Sequence, residues 1–119
     1  MRYICLVHAA SEDFDGMSEA EQRQLDRDSL AYDAELEAGG HYVTANALQP
    51  PDSAVIIRVR NGQMLTTDGP FTETKEQLAG FILIEARDLN EAIRLAAGIP
   101  MAKVGAIEVR AMYEIPRHD

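Results

Sequence analysis

Two segments of this 119-residue chain are apolar on both of their alternating faces. In residues 2–7, Tyr3, Cys5 and Val7 fall on one side, with Ile4 and Leu6 on the other. Residues 80–86 repeat the pattern as Gly-Phe-Ile-Leu-Ile-Glu-Ala. A strand with two apolar faces belongs at the centre of a sheet that is covered on both sides. Any fold for this chain must therefore seat these two strands centrally.

The rest of the chain supplies the other layers. Residues 9–17 read as a polar loop with Asp15-Gly16 as a turn signal. Ser18 and Glu21 have the spacing of a capping box, in which each side chain satisfies a free amide of the helix start. The helix they open is expected to run to about Ala38 and to stop at Gly39-Gly40. Its apolar stripe is Leu25, Tyr32 and Leu36, with Ala31 and Ala38 alongside. Strands follow at 42–48, ended by Pro50-Pro51, and at 54–60. Asn61-Gly62 then predicts a tight hairpin, because both positions tolerate positive φ, and 63–67 is the return strand. After the strand at 80–86, Asp88 and Glu91 mark the start of a second helix, which Gly98 and Pro100 end. A last strand is expected over 106–112.

The order is β-α-β, a hairpin, then β-α-β. Without the hairpin it is a ferredoxin-like split β-α-β plan, whose first and third strands are central, so the fold class is α+β in one domain spanning 1–119. The two doubly apolar strands are the ones this plan places in the middle. Two helices cover only one face of such a sheet, which leaves Phe81 and Leu83 on the other. A two-fold copy packed face to face is the simplest cover, so the sequence predicts a homodimer.

Charge narrows the partners. A formal net charge of −9 repels phosphate backbones, so direct nucleic-acid binding is not expected. No apolar run has the length of a membrane span, and no secretory signal pattern is present. The single cysteine, Cys5, lies in an apolar run and reads as a buried, inert thiol, which suits a reducing cytoplasm.

Chemistry-bearing residues are few. Asp68-Gly69-Pro70-Phe71 is a turn in which Gly allows unusual backbone angles, Pro fixes φ, Phe71 can anchor the loop and Asp68 can cap it. Asp28 falls three residues after Leu25 and four before Tyr32, on the apolar stripe, where it is either a pocket carboxylate fit for general-base work or a boundary residue with a donor. His41 follows the helix stop, and His8 ends the first strand in line with Ile4 and Leu6; each is either a cleft acid–base group or an ordinary turn or strand-end residue. Lys75, flanked by Glu73 and Glu76, reads as a salt-bridging residue. Arg58 and Arg60 share a strand face and recur with Arg110, either to hold a small anion or to pair with Glu85 and Glu108. No metal-ligand spacing, phosphate-cradling glycine loop or nucleophile elbow is present, so no metal or cofactor is expected.

The run from Asp68-Gly69-Pro70-Phe71-Thr72-Glu73-Thr74-Lys75-Glu76-Gln77-Leu78-Ala79-Gly80-Phe81 resembles the signature of the DGPF branch of the YCII-related proteins. The likeness continues through Ile84-Glu85-Ala86, Asp88-Leu89, Ile99-Pro100 and Ile107-Glu108-Val109-Arg110, and upstream through Asp28-Ser29-Leu30-Ala31-Tyr32 and Ala47-Leu48-Gln49-Pro50. The resemblance implies a dimeric α+β barrel in a bacterial cytosol, with no firmly assigned reaction. It also implies a genetic setting beside extracytoplasmic-function sigma factors. In the wider family an enzymatic His–Asp pair in a cleft has been suggested, with the histidine in the first helix in many members; helix 18–38 here contains none.

Two functions follow as expectations. The first is a small-molecule enzyme of lyase, isomerase or cofactor-free oxygenase type. Its pocket would lie between the sheet and the first helix, bordered by residues 68–71. Asp28, His41 and Asp68 would be its catalytic groups, with His8, Tyr32, Arg58, Pro70 and Phe71 binding the substrate. The second is a non-catalytic accessory or regulatory protein that acts with a sigma factor through its acidic first helix.

Overall fold

The computed structural model describes Met1–His118. Strand β1, Arg2–Ala10, is followed by the short helix α1, Ser11–Asp15, and the long helix α2, Glu19–Ala38. Strand β2, Tyr42–Ala47, leads through a single 3-10 turn to the hairpin strands β3, Val55–Arg60, and β4, Gln63–Asp68. Strand β5, Glu76–Glu85, helix α3, Leu89–Ala97, and strand β6, Ala106–Ala111, complete the chain. The strands form two antiparallel sheets, one of order β2-β5-β1-β6 and one containing only β3 and β4. The doubly apolar strands β1 and β5 are the central pair, as their patterning requires.

Local chemistry sets the element ends. The Ser18 hydroxyl accepts from the Glu21 amide at 3.1 Å, and the Glu21 carboxylate accepts from the Ser18 amide at 3.2 Å. A cap of this kind stabilises a helix by about 1 kcal/mol. At the other end Gly40 takes φ +78°, where any side chain would be strained. Asp88 caps α3 by accepting from the Glu91 amide, but the Glu91 carboxylate accepts from Arg87 instead of closing a reciprocal box. The hairpin turns at Asn61 and Gly62, both with positive φ, as the dipeptide predicts.

The core joins one face of the sheet to the helices. Tyr3, Cys5 and Val7 of β1 meet Ile82 and Ile84 of β5, covered by Leu36 of α2 and by Ala92 and Ala96 of α3. Leu36 is 3% exposed, and burying such a side chain is worth roughly 1.5–3 kcal/mol. The stripe of α2 is narrower than its sequence suggests: Leu25 and Tyr32 are half-buried, but Ala31 and Ala38 are exposed. Cys5 is fully buried without a disulfide partner, and burial pushes its thiol up from 9.0 to about 11.

The opposite face carries Ile4, Leu6, Phe81 and Leu83, half-buried and without a helix across them. The molecule is accordingly thin, 47 × 46 × 19 Å. Its radius of gyration, 16.6 Å, exceeds the roughly 13.5 Å of a compact chain of this length. The β3–β4 hairpin stands apart from the larger sheet. It shares no backbone pairing with the larger sheet and leaves Val55, Ile57 and Val59 more than half exposed.

Two boundaries differ from the sequence expectation. The expected polar loop over 9–17 is the end of β1 followed by α1, because Ala9 and Ala10 are buried against the core and the Asp13 carboxylate caps the Ala10 amide at 3.0 Å. Strand β5 begins four residues before Gly80, pairing Glu76 with Ala10 and Gln77 with Ala9. The loop after the hairpin therefore shrinks to residues 69–75. No helix among the described residues is long and apolar enough to cross a membrane.

Candidate functional site

A break in strand register creates the site. Val7 pairs with Gly80, but the next residue, His8, pairs with Leu78, so Ala79 is an extra residue on β5. Such a bulge bends the strand and re-aims the side chains beside it. Gly80 lets the crowded bend form: a Cβ there would sit 2.8 Å from the Asn46 carbonyl oxygen of β2. Beyond the bulge, His8 and Leu78 lie opposite each other at the end of the sheet.

Two irregular segments rise on either side of this end. The first is 48–54, held to β5 by the Leu48 amide donating to the Ala79 carbonyl at 2.8 Å and tightened by the Ser53 hydroxyl donating to the Pro50 carbonyl at 2.7 Å. The second is the loop 69–75. Gln77 clamps it by donating from Nε2 to the carbonyls of Thr72 at 2.6 Å and Thr74 at 2.9 Å. The Gly69 amide donates to the Ala54 carbonyl at 2.7 Å and ties the two segments together. Between them lies a cavity of about 550 Å³, with His8 and Leu78 at its floor and Leu48, Pro50, Pro70 and Phe71 in its walls. An adjoining cavity of about 700 Å³ continues toward Phe14 of α1 and shares Leu48, Pro50, Pro70, Gln77 and Leu78.

Two titratable side chains line the cavity where it meets the sheet, His8 of β1 and Glu76 of β5. His8 has a carboxylate partner across the sheet. Its Nε2 lies 2.9 Å from Oε1 of Glu108 on β6. The two are diagonal neighbours, since Leu6 pairs with Glu108 and His8 with Ala106. The His8 side chain is 30% exposed and that of Glu108 is 49% exposed. With the Glu108 carboxylate as acceptor, Nε2 carries the ring proton and Nδ1 the lone pair. Such an arrangement can take a proton at Nδ1 while the carboxylate stabilises the imidazolium.

The expected site residues are not all brought together. His8, Pro70 and Phe71 line the cavity, and Arg58 lies over the Phe71 ring, 5.5 Å from its centroid. Asp68 ends β4 in register with Val55, is exposed, and is not among the cavity-lining residues. Asp28 and Tyr32 lie on the helical side of the sheet, in a separate groove of about 590 Å³ between α2 and the 98–104 segment. Asp28 is exposed there and accepts from Gln24 at 2.7 Å. Tyr32 donates to the Leu95 carbonyl at 2.6 Å; burial foremost, then Glu35 and Cys5, pushes its phenol up. His41 joins the end of α2 to β5 through an Nδ1 contact with the Glu85 carbonyl at 2.9 Å and lines neither cavity. The cavity beside the 69–75 loop thus lies at the sheet end, away from the space between sheet and first helix where the sequence places it.

The charge pairs also depart from expectation. Glu85 is held by Arg2 at 2.8 Å and by the N-terminal ammonium at 3.4 Å, and the Arg2 hydrogen bond foremost keeps its carboxyl below the usual range. Glu108 pairs with His8. Neither is left for Arg58, Arg60 or Arg110, which have no ion-pair partner among the described residues. Lys75 reaches Glu12 of α1 at 3.3 Å instead of its sequence neighbours. No group of three or more His, Cys, Asp or Glu side chains among the described residues is placed to hold a metal ion.

Comparison with known proteins adds two findings. A family model described as the YCII-related domain matches residues 1–116. An uncharacterized protein of Rhizobium meliloti (strain 1021) is 33% identical over 118 residues, covering 96% of this chain and 95% of that protein.

Proposed function

From the premise that this chain belongs to the YCII-related family, we propose that it is a small-molecule enzyme of lyase, isomerase or cofactor-free oxygenase type, working by acid–base chemistry in the cavity beside the 69–75 loop. The observation that carries this reading is the His8–Glu108 pair at 2.9 Å, at the floor of a cavity with largely apolar walls. His8 takes the place of the histidine absent from the first helix, and Glu108 that of the acid. His8 Nδ1 removes a proton from a C–H bond activated by a neighbouring carbonyl, the electron pair moves onto the carbonyl oxygen, and the imidazolium returns the proton to that carbon as the carbonyl re-forms. Glu108 holds the ring and stabilises its charge. General acid–base groups of this kind contribute about 10²–10⁴-fold in rate.

The chain in this reading is a cytoplasmic homodimer of the DGPF branch with a ferredoxin-like subunit. The strand order β2-β5-β1-β6 and the two crossover helices on one face support that plan. The uncovered row of Ile4, Leu6, Phe81 and Leu83 supports a partner sheet packed against it, in the manner of a dimeric α+β barrel.

Deuterium exchange tests the chemistry. A panel of small aldehydes, ketones and keto acids is incubated with the protein in D2O and followed by proton NMR. At least one should exchange its activated C–H faster than the blank, and His8→Ala should remove that acceleration. Exchange that survives His8→Ala sinks the assignment of the base, and no exchange across the panel sinks the reaction class.

A second reading, an accessory protein acting with an extracytoplasmic-function sigma factor, is supported by the solvent face of α2, where Glu19, Asp26 and Glu37 are exposed. Salt-sensitive binding to a basic sigma-factor segment, lost when these three are neutralised, is the result that reading requires.

A further inference from the structure

The cavity has one feature that acid–base chemistry alone does not require. The Arg58 guanidinium stands 5.5 Å from the centroid of the Phe71 ring, and Phe71 lines the cavity with His8. Arg58 is on β3 of the projecting hairpin, and Phe71 is in the loop that leaves β4, so Arg58, which does not itself line the cavity, adjoins it through the Phe71 ring. Stacking on an aromatic face fixes the plane of a guanidinium and leaves its N–H fork free.

That fork is unused. The Arg58 side chain makes no hydrogen bond and no ion pair among the described residues. Arg60 and Arg110 are likewise without a carboxylate partner among the described residues, but of these three only Arg58 stands over an aromatic ring that lines the cavity. Of the acids near the site, Glu108 is engaged with His8 and Glu12 with Lys75, while Glu76 lines the cavity without an ion-pair partner among the described residues. The cavity lining includes Leu48, Pro50, Pro70, Phe71 and Leu78, which offer apolar surface, and no Lys or Arg among the described residues. The cavity of about 550 Å³ lies within the ordinary range for small-molecule sites, roughly 300–1,000 Å³.

We propose that this site takes a small organic acid: one carboxylate held by Arg58 at the rim, and an apolar body reaching toward His8. The inference rests on the cavity being the ligand site and adds the chemical class of what it binds. A guanidinium matches a carboxylate with two parallel N–H···O bonds, and the flat Phe71 ring keeps it in that orientation. A neutral molecule of the same shape would keep the apolar contacts and lose those bonds.

Benzoate and benzamide are a matched pair of probes, alike in size and shape and different in charge. Each is titrated into the 15N-labelled protein and into Arg58→Met, with amide shifts of residues lining the cavity as readout. Wild type should bind benzoate about tenfold or more tightly than benzamide, the worth of one charge-assisted pair. In Arg58→Met the ratio should fall to about one, with benzamide affinity unchanged. Arg58 is exposed on the hairpin, so the variant should fold as the wild type does. Equal binding of the two probes by wild type, or an unchanged ratio in Arg58→Met, overturns the organic-acid class and leaves the cavity as a ligand site. No shift at the cavity with either probe overturns both.

Discussion

His8 and Glu108 are 100 residues apart in the chain and 2.9 Å apart in space, joined diagonally across the β1–β6 pairing at the end of the sheet. The contact depends on how closely β6 can approach β1. Gly105, just before β6, makes that approach possible: a Cβ there would overlap the His8 carbonyl oxygen and crowd the Ala9 Cα at 3.2 Å. The obstacle is backbone, which cannot swing aside as a side-chain tip can.

Gly105→Ala should therefore destabilise the protein by about 1–3 kcal/mol, the range for an overpacked interior position, and weaken probe binding at the cavity. Chemical denaturation measures the first effect and amide-shift titration the second. A variant with unchanged midpoint and unchanged probe binding would show that the approach of β6 does not set the position of His8.

Tyr32 separates structural from functional polar groups. Its hydroxyl donates to the Leu95 carbonyl at 2.6 Å and ties α2 to α3. Tyr32→Phe removes one partly buried hydrogen bond and should cost about 0.5–1.5 kcal/mol in urea denaturation. Proton exchange and probe binding should stay at wild-type values, because Tyr32 lies on the helical side of the sheet. A loss of exchange without loss of stability would return the site to the helical groove.

Most of the fold is legible in the sequence because its signals are local. The capping box at Ser18 and Glu21, the Asn61-Gly62 turn and the doubly apolar strands each act through neighbours in the chain or through simple alternation. The site is less legible because it depends on register. His8 aligned with Ile4 and Leu6, and Glu108 alternated against Ile107 and Val109, so both could be assigned to strand faces. Their contact needed the pairing of β1 with β6, which alternation does not supply. The extra residue Ala79 likewise has no marker beyond the Gly80 that follows it. Asp28 has the spacing of a stripe residue, but the stripe is narrow and Asp28 falls outside its buried part.

Cys5 predicts the alkaline behaviour of the fold. Its thiol titrates at about 11 when buried, against 9.0 ordinarily, so between these values the native state holds a proton that the unfolded chain has released. Stability should be unaffected by this group below pH 9 and fall as pH rises from about 9 toward 11, by a total on the order of 2–3 kcal/mol. Cys5→Ala should be less stable than wild type at neutral pH through lost packing but should show a flatter decline over that window. Parallel alkaline declines in the two proteins, followed by denaturation at fixed pH steps, would remove Cys5 as the cause.

The claim that the cavity over His8 is the working site is tested most directly by amide-shift mapping with a small-molecule fragment library. The account predicts that shifts cluster at His8, Leu48, Phe71, Thr72, Gln77 and Leu78. Shifts clustered at Asp28, Tyr32 and Lys103 in the helical groove, or none above background anywhere, would contradict it.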